Sequence, residues 1–255
     1  MKDLYTYIDE GILDMGNKKN ISKYNHIKSA VDDFFSNLEI VGKYEIDDNG
    51  VVKISSVIIS DENFDGFPDY ITFNNDWNFN TQLIIKQSKK LKTISNLPHL
   101  QRLVIMNCDN FAGFEKGDYY VEQLLIVECP KVTSLKNIPA VNFLELEGLS
   151  DLKTLEGISE VYMAFAARET GLLNLDGLEI TQVRTVLLAK NPQLADIGMI
   201  PTTCKRLVIQ NTYKNKVRFT PELVKEQCAG LLFDSIDVEI DGKKARYLKN
   251  GKIKY

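Results

Sequence analysis

The sequence predicts an α/β fold: a solenoid of short parallel strands, closed at each end by a helix-plus-hairpin cap. Three observations carry that expectation. Apolar residues recur through the middle of the chain with a step of 20 to 22 residues. Each recurrence opens on an apolar-x-apolar pair, which points two side chains to one face of a strand. A helical pattern and a hairpin signal flank the repeats on both sides.

LVIMNC at 103–108 and LLIVEC at 124–129 are two copies of one motif. Anchored on the second apolar residue of each strand, the series reads Ile85, Ile105, Ile126, Leu146, Ala166, Leu188 and Ile209. Two residues earlier stand Leu83, Leu103, Leu124, Leu144, Ala164, Val186 and Leu207. Six and nine residues after the first six anchors come further apolar columns, from Leu91 and Ile94 to Leu194 and Ile197. A unit of this length holds one strand, one turn and a short return. It cannot bury its own apolar face, so it stacks on copies of itself. Each Leu or Ile buried in the stack contributes roughly 1.5–3 kcal/mol.

The unit L-x-L-x-x-(C/N)-x-x-L-x-x-L resembles the leucine-rich repeat in its cysteine-tolerant form, over roughly residues 81 to 212. The resemblance implies a leucine-rich-repeat-like solenoid and a binding role rather than a particular ligand. It also implies a task for the column three residues past each anchor: Ser88, Cys108, Cys129, Leu149, Glu169, Asn191 and Thr212. Asn or Cys packs inside there and satisfies backbone groups. Cys108 and Cys129 are then stacked neighbours, expected as free structural thiols although their spacing could permit a disulfide. Leu149 and Glu169 depart from the pattern, which predicts local irregularity in the fourth and fifth rungs.

The elements outside the repeats follow from local chemistry. Tyr24, Ile27, Val31, Phe34, Phe35 and Leu38 lie at helical spacing after Ser22, a candidate N-cap. Asp47-Asp48-Asn49-Gly50 joins two strand-like runs as a hairpin. Ile58, Phe64 and Phe67 fit the repeat columns, so an early rung begins there. At the other end, Thr220-Pro221-Glu222 starts a helix with a cap, a proline and an acid. Asp241-Gly242 and Asn250-Gly251 are hairpin turns. The predicted organisation is residues 1–52 as leader, helix and hairpin cap, 53–215 as solenoid, and 216–255 as helix-and-hairpin cap.

Composition narrows the function. A net charge of −4 and a pI near 5.4 argue against a general grip on phosphates. A third hypothesis, a nucleic-acid binder, stands well behind: it would need the basic tail from Lys243 to Tyr255, and such runs are more often a solvated strand face. No apolar run approaches the ~18 residues of a membrane span. The start carries acids where a secretory signal would carry an apolar core. A cytoplasmic location is expected.

Signals for chemistry are sparse. His26 and His99 have no companion at metal-ligand spacing, and no phosphate loop or nucleophile elbow occurs. Asp61-Glu62-Asn63-Phe64-Asp65-Gly66 matches half of a calcium loop, but Thr72 stands where a bidentate Glu belongs. Asp61 also falls in the ladder column three residues after Ile58. No metal, no cofactor and no enzymatic activity are expected.

The informative feature is the strand face turned away from the core. Its two columns read Ile84, Val104, Leu125, Glu145, Phe165, Leu187 and Val208, then Lys86, Met106, Val127, Glu147, Ala167, Ala189 and Gln210. Most are apolar. Either a terminal element folds over this face, or it is a recognition surface. On the second reading Val104, Met106, Leu125, Val127, Phe165 and Leu187 form the contact area for a protein partner or a second copy, and Glu145 and Glu147 set polarity for a partner's cation.

A second resemblance concerns the first ten residues. Met1-Lys2, Leu4-Tyr5, Tyr7-Ile8 and Glu10 are similar to the leader of proteins packaged in the heads of large tailed phages. Such leaders are cut after Ile-x-Glu or Leu-x-Glu, the form of Ile8-Asp9-Glu10. Val217-Arg218-Phe219-Thr220-Pro221-Glu222 is similar to a segment in repeat-bearing proteins of gut phages. An amphipathic N-terminal helix explains the leader equally well. The function expected is a non-enzymatic protein-protein interaction module, acting through its strand face and phage-encoded on this resemblance. The alternative is a structural or packaged protein of the virion interior with a cleavable leader.

Overall fold

The computed structural model describes residues 17–74, 81–117, 119–158, 160–228, 235–248 and 253–254, with side chains from residue 26 to residue 248. The leader at residues 1–10, Trp77 and the Asn250-Gly251 turn lie outside the described residues.

The chain is an α/β solenoid of mostly parallel strands with a helix at each end. It begins with helix α1 (Asn17–Ser36) and the antiparallel pair β1 (Ile40–Ile46) and β2 (Val51–Ile59). The second arm of that hairpin is also a rung, preceding the one counted as first. From there the sheet runs in parallel through β4 (Gln82–Lys86), β6 (Leu100–Met106), β8 (Tyr120–Val127), β9 (Ala140–Glu147), β10 (Val161–Arg168), β11 (Thr185–Ala189), β12 (Arg206–Gln210) and β13 (Ser235–Ile240). The antiparallel strands β14 (Lys243–Leu248) and β15 (Ile253–Lys254) finish it. Short strands β3 (Thr72–Phe73), β5 (Thr93–Ile94) and β7 (Gly113–Phe114) lie off this path.

Pairing places one residue of every rung in a single in-register column: Ile59, Ile85, Ile105, Ile126, Leu146, Ala167, Leu188, Ile209 and Ile240. A companion column runs Val57, Leu83, Leu103, Leu124, Leu144, Phe165, Val186, Leu207 and Val238. All of these side chains are buried in one core. With parallel strands ~4.8 Å apart, nine rungs make a slab roughly 40 Å long.

Two rungs differ from the sequence expectation, both by one residue. In the fifth, the inward pair is Phe165 and Ala167, not Ala164 and Ala166. Phe165 is 0% exposed and lies in register with Leu144. The cause is a bulge: Val161 pairs with Val141 but Ala164 pairs with Phe143, so β10 carries one extra residue there. A one-residue shift turns every later side chain to the opposite face. Phe165 therefore leaves the candidate binding surface, Ala164 and Ala166 join it, and the large Phe165 is matched inside by the small Ala167. The early rung slips likewise, with Ile59 rather than Ile58 facing in. With these registers the steps from Ile85 to Ile209 become 20, 21, 20, 21, 21 and 21.

Downstream of the bulge one residue is missing. Five residues separate Ala167 from the buried Leu172, against six from Leu146 to Leu152. Gly171 makes the shortcut possible, because a Cβ there would lie 1.9 Å from the Ser150 carbonyl oxygen. The ladder column in this rung is then Thr170, buried, rather than the exposed Glu169.

The six successive rungs β4, β6, β8, β9, β10 and β11 each leave their strand through a left-handed residue. Gln87, Asn107, Glu128, Gly148, Glu169 and Lys190 all have φ between 50° and 68°. Their N–H groups still donate to the next rung, Asn107 to Val127 at 2.9 Å and Glu128 to Glu147 at 2.8 Å. These bonds offset the cost of positive φ at side-chain-bearing positions, about 1–2 kcal/mol each.

The ladder column behaves as the resemblance implied. Cys129 Sγ donates to Val127 O at 3.4 Å, and Asn191 Nδ2 donates to Ala167 O at 2.9 Å. Asn191 Oδ1 accepts from Thr170 N and Oγ1 at 3.0 and 2.8 Å. Cys108 and Cys129 are free and buried on neighbouring rungs, and Cys108 Sγ donates to Met106 O at 3.4 Å. The interaction of the two thiols, joined by burial, pushes Cys129 up, and the same interaction, against burial, holds Cys108 below the usual thiol range. Asp61 also has a ladder role, its carbonyl accepting from Phe64 N at 3.2 Å and its carboxylate from Asn63 N at 2.7 Å.

The caps close both ends. Val31 and Phe35 of α1 are buried, and Phe35 stacks on Tyr44 at 4.7 Å. Helix α2 (Pro221–Gln227) is capped by Thr220, whose hydroxyl accepts from Leu223 N. Gln227 fixes it to the solenoid, donating to Ala195 O at 2.9 Å and accepting from Ile197 N at 3.1 Å.

Candidate functional site

The outward face of the sheet carries three columns. The central one reads Ile84, Val104, Leu125, Glu145, Ala166, Leu187 and Val208 from β4 to β12. Toward the strand C-termini it is flanked by Lys86, Met106, Val127, Glu147, Arg168, Ala189 and Gln210. On the other side lie Gln82, Arg102, Gln123, Phe143, Ala164, Thr185 and Arg206. Leu125, Leu187, Met106 and Val127 are half-buried there, and Val104 is buried. Phe143 and Met163 are each 40% exposed, so the middle of the face is open to solvent. Met163 stands in the bulge of β10, which explains why a large apolar residue faces outward there.

The face is not flat. Across β8, β9 and β10 it sinks into a hollow of about 240 Å³. Gln123, Leu125, Phe143, Glu145, Ala164 and Ala166 line it, with Leu124 and Leu144, whose side chains point into the core. The depression has a simple origin. Two alanines on β10 stand beside Phe143 and Glu145 on β9, so the bulge that buried Phe165 also emptied this part of the surface.

Glu145 is flanked in register by Leu125 and Ala166. Glu147 is flanked by Val127 and Arg168. Neither carboxylate makes an ion pair or hydrogen bond with another described residue. Further acids lie at the N-terminal ends of the same strands: Glu160, which accepts from the Tyr162 hydroxyl, and Glu122 beside Tyr120. Burial and then Glu122 push the Tyr120 phenol up. The middle of the face is thus apolar, aromatic at one margin, and acidic.

Of the residues read from the sequence as a binding surface, the structure places Val104, Met106, Leu125, Val127, Glu145, Glu147 and Leu187 in the outward columns and turns Phe165 into the core. The sequence reading missed Phe143, Ala164, Ala166 and Gln123 as a unit, because the bulge that joins them falls among alanines, which fit either face. His99 serves structure, its Nδ1 accepting from Tyr120 N at 3.0 Å. Among the described residues no group of three His, Cys, Asp or Glu could hold a metal ion, and no helix is long and apolar enough to cross a membrane. Comparison with family models, with curated proteins and with solved structures gave no match.

Proposed function

We propose that this protein is a non-enzymatic binding module whose strand face, centred on β8, β9 and β10, receives a segment of another protein. The observation that carries the reading is the open apolar face: Phe143, 40% exposed, and Leu125 line a hollow of about 240 Å³, and Met163 in the β10 bulge is equally exposed. Apolar surface kept open on a sheet is a liability unless a partner covers it. The resemblance of the repeats to leucine-rich repeats supports the same reading.

The test is a selection of displayed random nonapeptides on the immobilised full chain. Peptides bound by the parent should lose binding to Leu125→Ser/Phe143→Ser, while that variant still folds cooperatively, with a urea midpoint only modestly below the parent's. Peptide binding that ignores the double change would refute the strand-face assignment. A fall in stability without a change in binding would show that the face is covered rather than receptive. Concentration-dependent association abolished by the same changes would identify the partner as a second copy.

A further inference from the structure

Resting on the strand-face reading, we infer that the hollow over β8, β9 and β10 takes a single lysine or arginine side chain from an apolar peptide segment, with Glu145 as its counter-ion. The central column supplies the first ground. From Ile84 to Val208 it is apolar at every rung except Glu145. Glutamate is a poor strand residue. Leu125 and Ala166 on its two sides offer it neither charge nor hydrogen bond, so within the described residues the carboxylate gains nothing from its position. Glu147 differs, because Arg168 is its in-register neighbour on β10.

The second ground is shape. The hollow exists only where Ala164 and Ala166 face out, and Glu145 is part of its lining. An extended peptide crossing the strands would set its apolar side chains on Leu125 and Leu187 and lower one long side chain between them. The methylene stem of a lysine or arginine suits the apolar wall, and its charged end reaches the carboxylate. Phe143, also in the lining, can turn the face of its ring toward that cation. The remaining acids, Glu122 and Glu160, lie at the margin and favour the same sign of ligand. Arg102, two rungs away on β6, and Arg168 disfavour a second cation on either side, which limits the requirement to one.

The nonapeptide selection distinguishes this inference from the reading beneath it. Enriched peptides should carry one Lys or Arg with apolar residues on both sides. A synthetic peptide of an enriched sequence should bind Glu145→Gln about 10- to 100-fold more weakly than the parent, the usual weight of a charge-assisted hydrogen bond. Glu147→Gln should have a smaller effect. Replacing the peptide's cation by norleucine should match the loss seen with Glu145→Gln, and combining both changes should cost little more. Enriched peptides without a cation, or affinity indifferent to Glu145→Gln, would overturn the inference while leaving the strand face as the binding surface. Failure to enrich any peptide would overturn it as well. Binding insensitive to Leu125→Ser/Phe143→Ser would instead remove the strand-face reading on which it rests.

Discussion

Phe165→Ala against Phe143→Ala decides the register of the fifth rung. Phe165 is 0% exposed, in register with Leu144 on one side and Val186 on the other. Truncating it removes the transfer energy of the ring and leaves a cavity walled by neighbouring rungs, a loss of about 3–5 kcal/mol. Phe143, by contrast, is 40% exposed and faces outward, so its truncation leaves no enclosed void. It should cost roughly 1–2 kcal/mol at most. A whole domain has only about 5–15 kcal/mol, so the two variants should separate clearly in urea. Stacked rungs hold together through nearest-neighbour interfaces, and a defect in the middle of the array uncouples its halves. Phe165→Ala is therefore expected to lower the midpoint and also to broaden or split the transition, followed by far-ultraviolet circular dichroism and tyrosine fluorescence together. If Phe165→Ala unfolds within about 0.5 kcal/mol of the parent, or Phe143→Ala is the costlier change, the bulge assignment is wrong.

Further expectations follow from particular contacts. Cys204 and Cys228 are pushed up to about 11 and about 12, chiefly by burial. With Cys108 and Cys129 also buried, none of the four thiols should react quickly with iodoacetamide at pH 8 until denaturant is added, as read by mass spectrometry; fast native labelling at Cys108 or Cys129 would contradict the ladder. Gly171→Ala sets a methyl against the Ser150 carbonyl and should cost at least about 1–3 kcal/mol, whereas a tolerated methyl in urea unfolding would deny the close approach. Asn191→Ala strips partners from Thr170 N and Ala167 O, and the midpoint should fall by an amount equivalent to about 1–3 kcal/mol. At the C-terminal hairpin, Arg246 donates to Asp237 at 2.5 and 3.0 Å, and this bond, more than proximity of charge, holds the carboxyl below its usual range. A depressed folded pKa means that the pair's contribution is present above the unfolded value of about 3.9 and is lost as pH falls through the folded one. Amide protection in β14, measured against the intrinsic exchange rate at each pH, should therefore fall on acidification, modestly because the pair is exposed, and Asp237→Asn should remove that pH dependence.

The repeat was legible because its columns are built from residues that belong only inside. Leu103, Leu124 and Leu144 leave no doubt about the face they occupy, and the column of Cys108, Cys129 and Asn191 marks the turn by its polarity. The fifth rung was not legible for the opposite reason. In Val161-Tyr-Met-Ala-Phe-Ala-Ala-Arg168 alanine fits either face, so the alternation can be read in two registers. One warning was present: the wrong register puts Glu169 in a buried column, while the correct one puts Thr170 there. The same ambiguity separates Ile58 from Ile59, neighbouring isoleucines of which only one faces in. The hollow was invisible in consequence, since it depends on the bulge. The caps were readable from local rules of turn and helix chemistry, although α1 begins at Asn17, ahead of the proposed Ser22 cap.

Photo-cross-linking tests the binding face most directly. A photo-reactive phenylalanine analogue is placed either at Gln123, in the wall of the hollow, or at Thr133, exposed in the return segment between β8 and β9. Each protein is irradiated with a peptide selected on the parent chain. The strand-face account predicts an adduct from Gln123, competed away by unlabelled peptide, and none from Thr133. An adduct from Thr133 alone, or equal yields from both sites, would contradict it.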